Sequence, residues 1–125
     1  MVAPTARSLD GSLAAVDPAG WTFRDLDRRF EAFLDTSRFV ERKSLDTLRG
    51  YRGAFAMFRR YLAEGRKELP PTVGERFFDI EGFVAWNNRR GVTAVTTNHY
   101  WRALRPFFVD LERRDGVMNP FRGMR

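Results

Sequence analysis

The sequence predicts an all-α domain, a bundle of four or five helices. Apolar residues recur at three- and four-residue spacing in four segments, and no stretch alternates at period two as a half-buried strand would. A length of 125 residues with 43% hydrophobic side chains is enough for one domain with its own core. We expect residues 1–20, which are small, polar and interrupted by Gly and Pro, to form a disordered tail, and residues 21–118 to form the folded domain.

The first predicted helix follows Thr22, a good N-cap, and has Asp25 in its first turn. The apolar residues of this segment share one helical face. We expect that face to enter the core through Phe23, Leu26, Phe30, Phe33 and Leu34.

The second predicted helix begins after Ser44 and is expected to end at Gly65, before a Pro-Pro pair that forbids helix. Its predicted core residues are Leu48, Tyr51, Phe55, Phe58 and Leu62. A basic stripe adjoins them and consists of Arg49, Arg52, Arg59 and Arg60. Gly50 and Gly53 each cost about 1 kcal/mol relative to alanine. Glycines at these positions are consistent with close approach by another backbone, such as a DNA strand. The alternatives are that they only allow contact with a neighbouring helix or that they have no role.

A short third helix is expected between the N-cap Asp79 and the stop Gly91, and a fourth from Thr93 to about Asp115 with Gly116 as its stop. The third helix contributes Ile80, Phe83, Val84 and Trp86 to the predicted core.

Pro106 lies inside the fourth predicted helix, where a proline removes one backbone hydrogen bond. We therefore expect a kink or a break after Arg105.

The fourth predicted helix has two faces at about 100° per residue. The inward face comprises Thr97, Tyr100, Trp101, Leu104, Phe107, Phe108 and Leu111. The outward face comprises Val95, Asn98, His99, Arg102 and Arg105. The order His99, Tyr100, Arg102 matches the letters of a DNA strand-cutting site, but Tyr100 faces away from the other two. We therefore predict no catalytic residue, and the scarcity of His and Cys predicts no metal ligand.

The net charge of +6 is concentrated in two segments. Residues 47–68 carry +4 and residues 92–125 carry +3, whereas residues 1–46 carry −1 and residues 69–91 are neutral. Such clustering favours a polyanionic partner over the alternative of a solvated basic surface. Asn and Arg on an exposed helical face are side chains that read base edges.

Two stretches resemble the core-binding domain of tyrosine recombinases, the phage-integrase family. The first matches the S-x-x-T-x-x-x-Y-R pattern that opens the second helix of that domain, with Ser44, Thr47, Leu48, Tyr51, Arg52, Phe58 and Leu62 in register. The second matches a later stretch, with Gly91, Thr96, Asn98, Leu104, Arg105, Phe107, Phe108, Leu111, Gly116, Asn119 and Pro120 in register. The resemblance covers about Phe23 to Pro120. Trp101, in place of a smaller aliphatic residue, and the intrahelical Pro106 depart from the pattern.

The resemblance implies a SAM-like helical clamp on one face of a recombination half-site, with the second and fourth helices near the major groove. The candidate DNA-binding residues are Ser44, Thr47, Arg49, Arg52, Arg59, Val95, Thr96, Asn98, His99, Arg102 and Arg105. In the family a second domain carries the chemistry, so we expect no enzyme activity from this chain alone and read residues 119–125 as the start of a linker. The implied partners are double-stranded DNA and other recombinase protomers, with no cofactor and no small-molecule substrate.

Other functions fit the sequence less well. A helix-turn-helix regulator would place its recognition helix from Thr93 onward, but such helices are usually shorter and leave the basic stripe of the second helix unexplained. A helical protein-interaction module leaves the concentrated charge unexplained, and an independent enzyme lacks clustered carboxylates or a phosphate loop. We expect a cytoplasmic protein without a membrane partner, because no apolar run suits a signal peptide or a membrane span.

Overall fold

The computed structural model describes residues 17–64 and 70–121. The α-helices are α1 (Phe23–Phe39), α2 (Leu45–Ala63), α3 (Ile80–Arg89) and α4 (Ala94–Asp115), with 3-10 turns at Pro18–Gly20 and Glu75–Phe78. These described residues contain no β-strand, so the predicted all-α class is confirmed. None of the helices in the same residues is long and apolar enough to cross a membrane.

Hydroxyl side chains fix where three of the helices begin. The Thr22 hydroxyl accepts the N–H of Asp25, and the Asp25 carboxylate accepts the N–H of Thr22 in return. This backbone donor lowers the pKa of Asp25. At α2 the Ser44 hydroxyl accepts the N–H of Thr47 and donates to its hydroxyl at 3.0 Å. Thr93 makes the same pair of bonds with Thr96 at the start of α4. The N-caps predicted at Thr22, Ser44 and Asp79 are confirmed, and Thr93, which was expected to be the first residue of the fourth helix, is its N-cap.

The C-terminal ends of α2 and α4 are capped differently. α2 ends at Ala63, and the guanidinium of Arg76 donates to the carbonyls of Tyr61 and Glu64 at 2.9 and 3.0 Å. The stop predicted at Gly65 lies outside the described residues. α4 ends where predicted, at Gly116, whose φ of 69° is in the left-handed region that glycine tolerates best.

Of the predicted kink or break after Arg105, the break does not occur, because α4 is one continuous helix through Pro106. Residues on both sides of the proline, Leu104 and Phe107, are buried in the same core, so both halves of the helix pack against it. Arg102, whose carbonyl would have accepted the missing N–H, is exposed, and water can solvate that carbonyl.

The core joins α1, α2 and α4 through stacked aromatic rings. Phe30 of α1 stacks on Phe55 of α2 with ring centroids 3.9 Å apart, and Phe107 of α4 meets both rings edge-on. The predicted core residues are buried, apart from three that are half-buried against the same cluster: Tyr51, Val84 and Tyr100. The helical period therefore predicted the packed faces correctly.

The segment before the first helix belongs to the fold. Pro18 is buried, and the N–H groups of Val73 and Gly74 donate to the carbonyls of Trp21 and Ala19. The predicted tail is therefore too long at residues 17–20, because these backbone bonds tie the turn to the loop before α3. Residues 1–16 lie outside the described residues.

The chain after α4 also packs onto the core. Phe121 is 5% exposed and its ring lies 5.1 Å from that of Phe108 and 6.2 Å from that of Trp101. Asn119 is buried and accepts the N–H of Phe121. Residues 119–121 thus pack on the domain, which extends beyond the predicted end at residue 118 because the Phe121 side chain covers Trp101. Residues 122–125 lie outside the described part.

Candidate nucleic-acid interface

The N-terminal halves of α2 and α4 lie side by side and enclose an open groove of about 390 Å³. It is lined by Asp46, Thr47, Gly50, Tyr51, His99, Arg102 and Ala103. A Cβ at Gly50 would stand 3.6 Å from Nε2 of His99, which is ordinary van der Waals contact. The groove therefore brings together candidates from both predicted basic segments.

The two helical glycines of α2 have different surroundings. Gly50 faces His99 of α4, so its close neighbour is another helix of the same chain. Gly53 is exposed, and nothing among the described residues would lie within 4 Å of a Cβ there. At about 100° per residue, Gly53 shares the outermost face of α2 with Arg49 and Arg60. Gly53 thus lies on an open strip that another molecule can approach, whereas Gly50 lines the groove between α2 and α4.

The arginines of α2 point in two directions. Arg49 is 78% exposed and pairs with Asp46 at 2.9 Å. Arg52 pairs with Glu31 of α1 at 3.5 Å and remains 60% exposed.

Arg59 donates two hydrogen bonds, of 2.8 and 3.0 Å, to the carboxylate of Asp27. Its guanidinium also lies 5.1 Å from the ring centroid of Phe23 on α1. Arg59 is therefore held against α1 and is not brought together with the candidates near the groove.

The exposed face of α4 carries most of its predicted residues. Val95 is 82% exposed, and Asn98, His99 and Arg102 are also exposed. Arg102 forms no ion pair within the described residues, and its guanidinium lies 5.7 Å from the Trp101 ring. This face therefore offers a cation that is not neutralised by a neighbouring carboxylate.

Arg105 was expected on the same face but is half-buried. Its guanidinium lies 4.9 Å from the ring centroid of Trp101 and 5.8 Å from that of Phe121. The outward placement is corrected because Phe121 folds back over α4, which the predicted linker did not anticipate.

Three hydroxyl candidates lie at the helix N-termini beside the groove. Ser44 and Thr47 bond each other at the start of α2, and the hydroxyl of Thr96 accepts from Thr93 at the start of α4. The Ser44 hydroxyl donates within its cap, whereas the Thr47 and Thr96 hydroxyls accept in these bonds, so each keeps a proton that it can donate to a phosphate.

The His99, Tyr100 and Arg102 side chains are distributed as predicted. Tyr100 is half-buried against the core, whereas His99 and Arg102 are exposed. No group of three side chains able to hold a metal ion occurs in the described residues.

The amide of Asn98 has a partner that sequence reasoning missed. Its Oδ1 accepts the indole N–H of Trp101 at 3.1 Å. The three-residue spacing on one helix was a usable signal, because side chains at that spacing are neighbours. Arg66 and Lys67, which contribute to the charge of the second segment, lie outside the described residues.

Comparison with known proteins gave no match, whether to family models, to curated proteins or to solved structures.

Proposed function

We propose that this chain binds double-stranded DNA through the N-terminal halves of α2 and α4. One observation carries the proposal: Thr47 of α2 and Arg102 of α4 line a single groove. Arg49 and Asn98 are exposed on the same two helices. Arginines bind phosphates and guanine edges, and amides bind base edges, so a face of this composition suits a major groove. This surface also draws on the two segments that hold the excess positive charge.

The carboxylates near the interface do not prevent phosphate binding. The partners of Arg49 and Arg52 are Asp46 and Glu31, and their side chains are 89% and 61% exposed. Exposed pairs of this kind contribute only about 0 to 1 kcal/mol. DNA phosphates can therefore replace these carboxylates as partners of Arg49 and Arg52. Arg59 is not assigned to the interface, because its bidentate pair with Asp27 is half-buried.

We assign the DNA-binding role to a core-binding domain of a tyrosine recombinase. The support is the resemblance of the second and fourth helices, together with the all-α architecture that pairs these two helices. In this proposal the domain clamps one recombination half-site beside other protomers, and a separate domain performs the strand cleavage. Tyr100 has no cleavage role because its ring packs on the core.

The test is a titration of duplex DNA at several salt concentrations. Each phosphate contact adds about 0.9 to the slope of log affinity against log salt. The parent chain should show a steep slope, and the double variant Arg49→Ala, Arg102→Ala should show a shallower one. Arg59→Ala is the matched control that removes one arginine from α2 outside the interface, and it should retain the parent slope.

Two results would contradict the proposal. A parent slope near zero would remove the electrostatic basis of DNA binding and favour a helical protein-interaction module. Equal slopes for the parent and the double variant would place the contacts elsewhere on the molecule.

A further inference from the structure

Arg60 and Arg90 form a second group of cations, separate from the groove between α2 and α4. Their guanidiniums lie 6.0 Å and 4.2 Å from the ring centroid of Trp86 on α3. Both arginines are exposed, and neither forms an ion pair in the part of the chain that the structure describes. Two cations thus lie at one indole, and no carboxylate among the described residues neutralises them.

The Trp86 ring holds the two arginines in place while leaving most of their hydrogen-bond donors available. A guanidinium over an indole ring is attracted by the ring electrons. Arg90 is fixed further, because its Nη1 donates to Oδ1 of Asn87 at 3.1 Å. Within the described residues, this is the one hydrogen bond that either guanidinium makes, although each has five N–H donors. Side chains that are already ordered lose less freedom on binding, so the pair is prepared for an anion.

The outer face of α2 connects this pair of arginines with the proposed DNA interface. Arg49, Gly53, Ala56 and Arg60 lie within one narrow arc at about 100° per residue, and all four are exposed. Gly53 and Ala56 place at most a methyl group between the two arginines, so a DNA strand can lie close to the helix there. From Arg49 to Arg60 the helix rises by about 16 Å, at 1.5 Å per residue.

We propose that Arg60 and Arg90 bind a backbone phosphate of the DNA that flanks the groove, so that the duplex follows the outer face of α2. This inference rests on the proposed DNA-binding function and adds a second contact, made with phosphate and not with bases. Guanidinium groups suit phosphate oxygens, because the charged hydrogen bonds between them are strong. A separation of about 16 Å corresponds to about five base pairs at 3.4 Å per base pair. A duplex must therefore extend about that far beyond the contacts of Arg49 to reach the second site.

The first experiment compares two duplexes at several salt concentrations. One is the shortest duplex that the parent chain binds, with a sequence selected from a random pool, and the other extends it by about eight base pairs at each end, which exceeds the expected distance. On the extended duplex, Arg60→Ala, Arg90→Ala should lower the slope of log affinity against log salt by about 1 to 2, since each phosphate contact adds about 0.9. On the short duplex it should keep the parent slope.

A charge-matched control removes two arginines from α1. Arg24 and Arg28 are both exposed, and the proposal places no DNA on that helix. The double variant Arg24→Ala, Arg28→Ala should therefore keep the parent slope on both duplexes. Because both double variants have the same net charge, their comparison removes the general effect of duplex length. Thermal melts check that each variant folds.

The second experiment neutralises the DNA instead of the protein. A methylphosphonate, which removes the charge of a single phosphate, is placed in turn at each position of the extended duplex. Parent binding should weaken about tenfold at an outer position, about five base pairs from the central contacts, because one charged hydrogen-bonding partner is lost. At that position the same substitution should have no effect on Arg60→Ala, Arg90→Ala. The scan with the parent chain tests the site even if that variant fails to fold.

The outcomes separate the two proposals. If the parent binds DNA but the scan finds no outer phosphate, or if Arg60→Ala, Arg90→Ala matches the α1 control on the extended duplex, the second site is overturned while DNA binding stands. If that variant loses as much slope on the short duplex as on the extended one, the flanking position of the site is overturned. If the parent binds no duplex at low salt, both proposals fail.

Discussion

Gly82→Ala should destabilise the domain, although alanine normally stabilises a helix relative to glycine. A Cβ at Gly82 would collide with the carboxylate of Asp79 and the hydroxyl of Tyr61. The Asp79 carboxylate caps α3 by accepting the N–H of Gly82 at 2.8 Å, and it accepts the Tyr61 hydroxyl at 3.3 Å. Burial, with a smaller contribution from Asp79, raises the pKa of Tyr61, so the phenol is a donor at neutral pH.

The size of the effect follows from what must move. Turning the Asp79 carboxylate away removes an N-cap, which costs about 1 kcal/mol. The Tyr61 hydroxyl loses its acceptor for about 1 kcal/mol more. The higher helix propensity of alanine offsets at most about 1 kcal/mol. We therefore expect Gly82→Ala to lower the free energy of unfolding by about 1 kcal/mol, a Tm loss of about 4 to 8 °C.

Gly53→Ala is the matched control, because nothing among the described residues lies within 4 Å of the new Cβ. It should raise the free energy of unfolding by about 0.5 to 1 kcal/mol. Urea melts followed by circular dichroism measure both variants. In an Asp79→Ala background most of the penalty of Gly82→Ala should disappear. If Gly82→Ala is as stable as the parent, the Asp79 cap and its bond to Tyr61 are wrong.

Other substitutions test separate parts of the structure. Leu104→Ala and Phe58→Ala should each cost about 2 to 5 kcal/mol in urea melts, because both side chains are fully buried; parent-like melts would refute the packing. His99→Ala should weaken duplex binding without changing the Tm, and normal binding with early unfolding would make His99 structural. Asp25→Ala should cost about 1 kcal/mol at neutral pH, since it removes half of a capping box with Thr22. The pKa of Asp25 is lowered, so this stabilisation is present above the ordinary carboxyl pKa and is lost as the pH falls through the folded value; a difference from the parent that persists in acid would contradict it.

The helices and their buried faces were predictable because local signals determine them. A Ser, Thr or Asp N-cap fixes each start, and the three-and-four spacing fixes the core face. Both signals are short-range and can be recognised in a single sequence. The positions of Thr22 and Ser44 show this, since both caps are formed as predicted.

Contacts between distant segments were not predictable in the same way. The packing of Phe121 on Trp101, which draws Arg105 inward, depends on where the chain returns after α4. The pairing of Arg59 with Asp27 depends on how α1 and α2 are placed against each other. Neither arrangement leaves a periodic signal in the sequence, so Arg59 and Arg105 were expected to be available to DNA.

Amide chemical shifts of the labelled chain, recorded by NMR with and without duplex DNA, test the central claim most directly. If DNA binds as proposed, the shifts should change in the N-terminal halves of α2 and α4, from Ser44 to Gly53 and from Val95 to Arg102. The shifts of α1 should change little. Changes centred on α1 or α3, or no change at low salt, would contradict it.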